Sequence, residues 1–260
     1  MRLDVHLVEK GYFETRSKAK SAIEGGCVKV CGKVAKKPAF NVVSEEVVEI
    51  VNPLKYVSKG GLKLEKAINE FCVCMKGAVV LDIGSSTGGF TDCAIQNGAQ
   101  KVFAVDVGVN QLHASLRVNP KVVSLEDTDI REIDKDLFGE VNIASMDVSF
   151  ISVTKIIPYI YNLPNLSEVI CLIKPQFECG KDIAKKCKGI IRSKTIHKNV
   201  ISSVVDAFSK CGFNLSNLTF SPIQGGDGNI EYLALFAKKP CVNIDYDKVV
   251  NLAFSNFQLK

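Results

Sequence analysis

The chain has 260 residues, 47% of them hydrophobic and 23% charged, the make-up of a folded protein with room for one large domain and one small one. Its net charge of +5 permits a polyanionic partner without requiring one. Ten cysteines without a Cys-x-x-Cys pair, beside three histidines, speak against a metal centre and for free thiols in a reducing, cytoplasmic setting.

The first residues, MRLDVHLVEKGYFETR, carry Asp4, Glu9 and Glu14 and lack the apolar stretch of a secretion signal. No stretch of the chain approaches the roughly 20 apolar residues of a membrane span. Leu3, Val5, Leu7 and Val8 predict a helix ended by Gly11. Ala19, Ala22 and Ile23 predict a second over residues 17–24, stopped by Gly25-Gly26. Val28, Val30 and Val34 around Gly32 predict a hairpin, and VVSEEVVEIV another strand pair across a polar turn. Arg2, Arg16, Lys18, Lys20, Lys29 and Lys33, with Lys36 and Lys37, make this small α+β unit, residues 1–57, conspicuously positive. Such a stripe is either a footprint for a phosphate backbone or a solvated face.

Asn52-Pro53 and Lys59-Gly60-Gly61 mark a junction, after which residues 58–260 form the second domain. A helix with Leu64, Ala67, Ile68 and Phe71 on one face comes first. VVLDI, KVFAVD, KVVSL, VNIASMD, EVICLIK, FNLSNLTF and IEYLALFA then alternate with helical stretches. That alternation predicts an α/β, Rossmann-like fold with a seven-stranded, mostly parallel sheet.

VVLDI leads into Gly84-Ser85-Ser86-Thr87-Gly88-Gly89-Phe90-Thr91, a glycine-rich turn where such sheets bind nucleotides. The spacing G-x-x-x-G-G matches neither the dinucleotide fingerprint nor a P-loop. Asp82, just ahead of it, would repel phosphate and suits a ligand bearing an ammonium and a sulfonium. The next strand ends in Asp106, 24 residues after Asp82, near the spacing of an acid that bonds two ribose hydroxyls. Together these predict an S-adenosylmethionine site; the alternative is a tight βα turn with a capping aspartate. Thr128 and Asp129, after the third strand, are candidates either for an adenine contact or for a helix N-cap.

The fourth strand ends in Asp147-Val148-Ser149-Phe150 and the fifth in Lys174-Pro175-Gln176-Phe177, on the same sheet edge as the glycine loop. A lysine closing an apolar strand is expected to be partly desolvated, with its pKa lowered. With Asp147, Lys63 and Glu231 it makes two lysines and two carboxylates, a set suited to methylating a ribose 2′-hydroxyl. That hydroxyl is a poor nucleophile until a base takes its proton, and a neutral lysine is strong enough to do so. Singly, each residue has another reading: Asp147 or Ser149 as a cap, Lys174 snorkelling, Glu231 paired with a surface lysine.

RLDVHLVEKG, TRSKAKSAIEGGCVKVCGK and KP resemble the RNA-binding domain first seen in a small-subunit ribosomal protein. YVSKGGLKL, LDIGSSTGGFTD, VDVGVNQL, DVSFIS, LIKPQFE and GNIEY follow in the order of the TlyA family, whose members carry the names hemolysin A and ribosomal RNA cytidine 2′-O-methyltransferase. The resemblance covers essentially the whole length. It implies a class I, FtsJ-like methyltransferase fold and S-adenosylmethionine as cofactor, without a metal. Asp82, Gly84, Ser85, Thr87, Gly88, Gly89, Phe90, Asp106, Val107, Thr128 and Asp129 would surround the cofactor. Lys63, Asp147, Lys174 and Glu231 would form a catalytic tetrad; Lys59 competes for the first place, but Lys63 fits the motif better. EDTDIRE departs from the family pattern, with Asp129 where an asparagine is expected. The implied partner is ribosomal RNA or a ribosomal subunit. Two other functions are a membrane-lytic protein, opposed by the missing export signal and span, and an inactive RNA-binding protein, opposed by the intact loop and lysines.

Overall fold

The computed structural model describes residues 1–13, 15–24, 26–43, 47–51 and 55–258, without the side chains of Ser17, Lys18 and Ser21. Gly25, the turn at 44–46 and Asn52-Pro53 therefore lie outside the described residues. The chain divides into two units, Met1–Lys55 and Tyr56–Lys260. The division falls ahead of Tyr56 because that ring is buried in the core of the second unit, and the Val57 N–H bonds the Asp92 carboxylate there, 2.8 Å away.

In the first unit, α1 (Leu3–Glu9) and α2 (Arg16–Glu24) share an apolar core with a three-stranded antiparallel sheet. The sheet runs in the order β2 (Lys33–Val34), β1 (Val28–Val30), β3 (Val48–Ile50). The two halves of VVSEEVVEIV do not pair with each other among the described residues. The Val42 N–H reaches back to the Met1 carbonyl at 2.7 Å, while Val48–Ile50 pairs with β1.

The second unit begins with α3 (Gly60–Phe71) and continues β4 (Val79–Ile83), α4 (Gly89–Gln96), β5 (Lys101–Val105), α5 (Ala114–Arg117), β6 (Val122–Leu125) and β7 (Ile143–Met146). It proceeds through α6 (Ile157–Ile160), β8 (Glu168–Ile173), α7 (Pro175–Glu178), α8 (Lys181–Lys186), α9 (Lys194–Lys210), β9 (Asn214–Phe220), β10 (Tyr232–Ala237) and α10 (Tyr246–Asn256). The seven strands lie in the order β6-β5-β4-β7-β8-β10-β9, with β10 antiparallel to both its neighbours. Strand alternation sends Leu81 and Ile83 into the core under α9 and α10, and Val80 into the core under α3 and α4.

This topology decides what the sheet edge can hold. β4 has β5 on one side and β7 on the other, so the chain reverses its winding there and leaves a crevice beyond the carboxyl ends of the strands. β4 and β7 pair Ile83 with Met146, which sets Gly84 beside Asp147. β10 and β8 pair Tyr232 with Ile173 in antiparallel sense, which brings the residue before β10, Glu231, to the edge where Lys174 leaves β8.

Candidate active site

Beyond β4 lies a cleft of about 390 Å³ with Gly84, Asp106, Thr128, Asp129, Asp147 and Phe150 in its walls. Gly84 has φ +80, and a Cβ on it would meet the Asp147 carbonyl oxygen at 2.7 Å, so only glycine leaves the cleft open here. The Asp106 carboxylate accepts from the Ser86 N–H at 2.8 Å and the Gly108 N–H at 2.7 Å, which shapes the loops on either side of it. Each of its oxygens keeps a lone pair for a hydroxyl donor. Val107 is exposed and also lines the cleft. Thr128 donates its hydroxyl to the Glu126 carbonyl. Asp129 lines the cleft while accepting from the Arg131 N–H at 2.9 Å and pairing with its guanidinium, whose hydrogen bond holds the carboxyl below its usual range.

The rest of the glycine loop plays another part. Asp82 is 0% exposed and does not reach the cleft. It points from the face of β4 towards α4, where it accepts hydroxyls from Thr91 at 2.7 Å and Ser145 at 2.8 Å. Burial pushes its carboxyl up to about 6 against those hydrogen bonds. Phe90 packs in the α3–α4 core. Gly89 permits close helix packing, since a Cβ on it would sit 2.2 Å from the Ser58 hydroxyl. Ser85, Thr87 and Gly88 are not in the cleft wall either; Gly88 packs against Leu112 and Leu116. Period-two alternation along β4 turns Asp82 to the α4 side of the sheet.

Around Asp147, in the cleft wall, four charges meet in two close pairs. Lys174, 6% exposed, places its Nζ 2.6 Å from Asp147 Oδ1 and donates to the Ser149 hydroxyl at 3.0 Å. Lys63, 9% exposed, places its Nζ 2.6 Å from Glu231 Oε2, and Glu231 is 3% exposed. Lys63 arrives from the first turns of α3, whose apolar face packs on β10 and α4. Burial pulls its pKa down, but the charges of Asp147 and Glu231 and the Glu231 hydrogen bond outweigh burial and hold it above the ordinary lysine value. Two carboxylates thus face one desolvated ammonium. Lys59 caps α3, and none of its bonds reaches Glu231 or Asp147.

Two features of the site carry little signal in the sequence. Phe150 is 91% exposed with φ +66, a costly conformation for a bulky residue, and leans on Phe177 with ring centroids 5.1 Å apart. Its only signal is an aromatic residue where a strand ends among serines. Gln111, also in the cleft wall, has none; its N–H is bound by the Glu126 carboxylate.

In the first unit, Arg2, Arg16 and Lys20 line one groove around Asp4. Arg2 holds Asp4 at 2.9 Å and Arg16 at 2.9 Å, and these bonds, Arg2's above all, keep the carboxyl far below its usual range. Lys33 lines a separate hollow with Lys36 and Lys37, while Lys29 lies in neither; the side chain of Lys18 is outside those described. All ten cysteines are free. Among the described residues no helix is long and apolar enough to cross a membrane, and no group of metal-ligating side chains gathers.

Comparison with known proteins joins these observations. Residues 56–238 match the family described as FtsJ-like methyltransferase, and residues 1–48 match the S4 domain. A protein named Hemolysin A from Brachyspira hyodysenteriae is 45% identical over 240 residues, which is 91% of this chain and 99% of that one. A protein from Campylobacter jejuni named 23S rRNA (cytidine-2′-O)-methyltransferase TlyA is 37% identical over 260 residues, covering 92% of this chain and all 100% of that one. A solved structure described as a hemolysin from Streptococcus thermophilus has a TM-score of 0.77 at 40% identity, covering 99% of this chain and 97% of that one. With its sheet order, its glycine cleft and relatives that match it end to end, the chain belongs to the FtsJ-like methyltransferases, in the TlyA family, with an S4 domain ahead of the methyltransferase fold.

Proposed function

We propose that this protein methylates the 2′-hydroxyl of a cytidine ribose in ribosomal RNA, with S-adenosylmethionine as methyl donor. The observation that carries the reading is the pairing of two buried lysines with two carboxylates, one of which, Asp147, lines the glycine cleft, each pair at 2.6 Å. The name of the Campylobacter relative supports the choice of nucleoside and of ribosomal RNA. A ribosomal substrate also assigns the work to the cytoplasm.

The cleft suits the cofactor. Its carboxylates, Asp106 and Asp129, match hydroxyl and amine donors, Ile130 and Val148 offer an apolar floor, and a Cβ at position 84 would intrude. When bound there, S-adenosylmethionine supplies a methyl group made electrophilic by its sulfonium. Asp106 would hold the ribose hydroxyls, and Thr128, Asp129 and Val107 would surround the adenine. Lys174 takes the proton of the 2′-hydroxyl. Asp147 and Ser149 fix the direction of its Nζ. Lys63 stays charged, held by Glu231, and sets the field felt by Lys174 and the substrate oxygen. Phe150 offers the unstacked base a face, as the target nucleotide has to leave its helix to reach the cleft. The first unit, through Arg2, Arg16, Lys20, Lys29 and Lys33, binds the RNA backbone, while residues 56–260 carry the chemistry.

Labelled methyl transfer onto isolated small subunits, large subunits and free ribosomal RNA, followed by mapping of the modified ribose, tests this. Incorporation into a base ring, or none into any of the three, would defeat it.

A further inference from the structure

Between the strand that ends in Lys174 and the loop that carries Glu231 lies a segment the reaction does not use. Residues 181–192, KDIAKKCKGIIR, hold five cations and one acid. Lys181, Lys185, Lys186, Lys188 and Arg192 are all exposed, and α8 buries none of its residues. Among the described residues, none of these five side chains meets a carboxylate or another hydrogen-bond partner. Lys181 and Lys185 stand four apart on the helix and repel each other. Asp182 in the first turn and Lys185 and Lys186 in the last suit the helix dipole, but a six-residue helix that buries none of its residues gains little stability in isolation. Five exposed cations against one acid leave net repulsion that a polyanion would offset.

Both ends of the segment are tied to the site. On the near side, Glu178 of α7 accepts from the Ser152 hydroxyl and from the Val153 N–H at 2.9 Å, which joins the turn after Lys174 to the loop after Asp147. On the far side, the buried Asn229 accepts from the Ile191 N–H at 2.9 Å and donates to the Gly189 carbonyl at 2.8 Å. The buried His197 bonds the Ile191 carbonyl at 2.9 Å and the Tyr232 hydroxyl at 2.7 Å. The cations are thus held on an arm whose two roots are the segments bearing Lys174 and Glu231.

We infer that residues 181–192 form a phosphate-binding arm of the methyltransferase unit, gripping the RNA backbone next to the nucleotide in the cleft. The inference rests on the RNA-methyltransferase reading above. Lysines serve as mobile point charges for phosphates, without sequence preference. An anionic membrane is the other polyanion, but basic helices that lie on bilayers insert an apolar face. Here Ile183 is the one large apolar side chain exposed on α8, so no such face exists.

The test compares full-length K185Q/K186Q/K188Q with K76Q/K121Q/K210Q, which loses the same charge at the opposite edge of the sheet, before β4, β6 and β9. Binding of a hairpin RNA with a single-stranded cytidine loop is followed by fluorescence anisotropy between about 0.05 and 0.2 M salt. The arm variant should bind more weakly, with a salt slope shallower by about 0.7 for each single-strand phosphate that the arm no longer neutralises. The control should keep the wild-type slope, and calorimetry should show unchanged S-adenosylmethionine binding in both. K185R/K186R/K188R should restore the wild-type slope. Equal slopes in the arm and control variants, or no rescue by arginine, overturn the arm. Loss of binding to phosphatidylserine vesicles with RNA binding intact overturns it in favour of a membrane. Wild-type protein that neither binds this RNA nor methylates ribosomal RNA removes the underlying reading, and the arm with it.

Discussion

Glu231→Gln leaves the Lys63 ammonium desolvated without its closest counter-charge. In the wild type, Lys63 is 9% exposed and its Nζ lies 2.6 Å from Glu231 Oε2, so the pair is as near to neutral as a buried ion pair can be. Removing one partner of such a pair costs about 3–5 kcal/mol, most of it from the charge left behind. Asp147 still attracts Lys63, and glutamine keeps the volume and one acceptor, which puts the cost at the lower end, about 3 kcal/mol. For a unit of this size each kcal/mol moves the melting temperature by about 2–4 °C, so a drop of roughly 6–12 °C is expected. Scanning calorimetry and urea titration of the full-length protein read it. Lys63→Met alone should cost a similar amount, because it strands the Glu231 carboxylate. The double variant K63M/E231Q removes both charges and should recover at least about 2 kcal/mol relative to the sum of the two. A single variant within about 0.5 kcal/mol of wild type, or strict additivity in the double, would refute the buried pair.

Lys63, raised above its ordinary value, contributes stability that is complete below the unfolded pKa near 10.4 and is lost as pH rises through the higher folded value. The advantage of wild type over Lys63→Met should therefore shrink above about pH 10.4 in alkaline denaturation; a constant gap counts against it. Asp82 also loses stability as pH rises, but because its charged form is penalised. Its carboxyl, pushed up to about 6 by burial, holds a proton more tightly folded than unfolded, so it costs nothing below the unfolded pKa near 3.9. From there to above about pH 6 it should cost wild type about 3 kcal/mol relative to Asp82→Asn; a gap independent of pH sinks the assignment. Lys174→Met should slow methyl transfer by about 10²–10⁴-fold with S-adenosylmethionine affinity unchanged, and Lys174→Arg, which cannot release its proton, should be equally poor. An active arginine variant would remove Lys174 as the base. Phe150→Ala should leave stability within about 0.5 kcal/mol, since the ring is exposed, yet weaken kcat/KM for RNA by about 5–150-fold if it stacks a base. Unchanged RNA kinetics would leave the ring without that task.

The strands are legible in the sequence because most are short apolar runs, several rich in Val and Ile, and all seven lie where the expected segments stand. Lys63, Asp147, Lys174 and Glu231 are legible by motif and by their places at element ends, and the structure gathers them. Within the glycine loop, Asp82, Gly88, Gly89 and Phe90 sit beside Gly84 in sequence but bond or pack against neighbouring elements, because direction along a strand and a helix start changes with every residue. The pKa direction of Lys63 is not legible, since it depends on how many carboxylates reach one ammonium, a fact of three dimensions. Phe150 is hidden for a similar reason: an aromatic residue next to an apolar strand reads as core, and nothing local says that a left-handed backbone turns it outward.

One reversal of strand direction makes the site possible. Were β10 parallel to β8, Glu231 would lie at the opposite sheet edge, about 20 Å away over a six-residue strand, and Lys63 would have no buried counter-charge. Running antiparallel, β10 starts where β8 ends, and the register Tyr232 to Ile173 brings Glu231 level with Lys174. The connection from β9 into β10 therefore places a carboxylate at the candidate site as well as closing the sheet. A single residue inserted between Glu231 and Tyr232 tests this: the strand can keep its register and its buried face while the carboxylate moves off Lys63, so stability should fall by about the 3 kcal/mol expected for Glu231→Gln and the protein should still fold. Methyl transfer should then fall with the fold intact, whereas equal losses of both would mean that β10 serves the core alone.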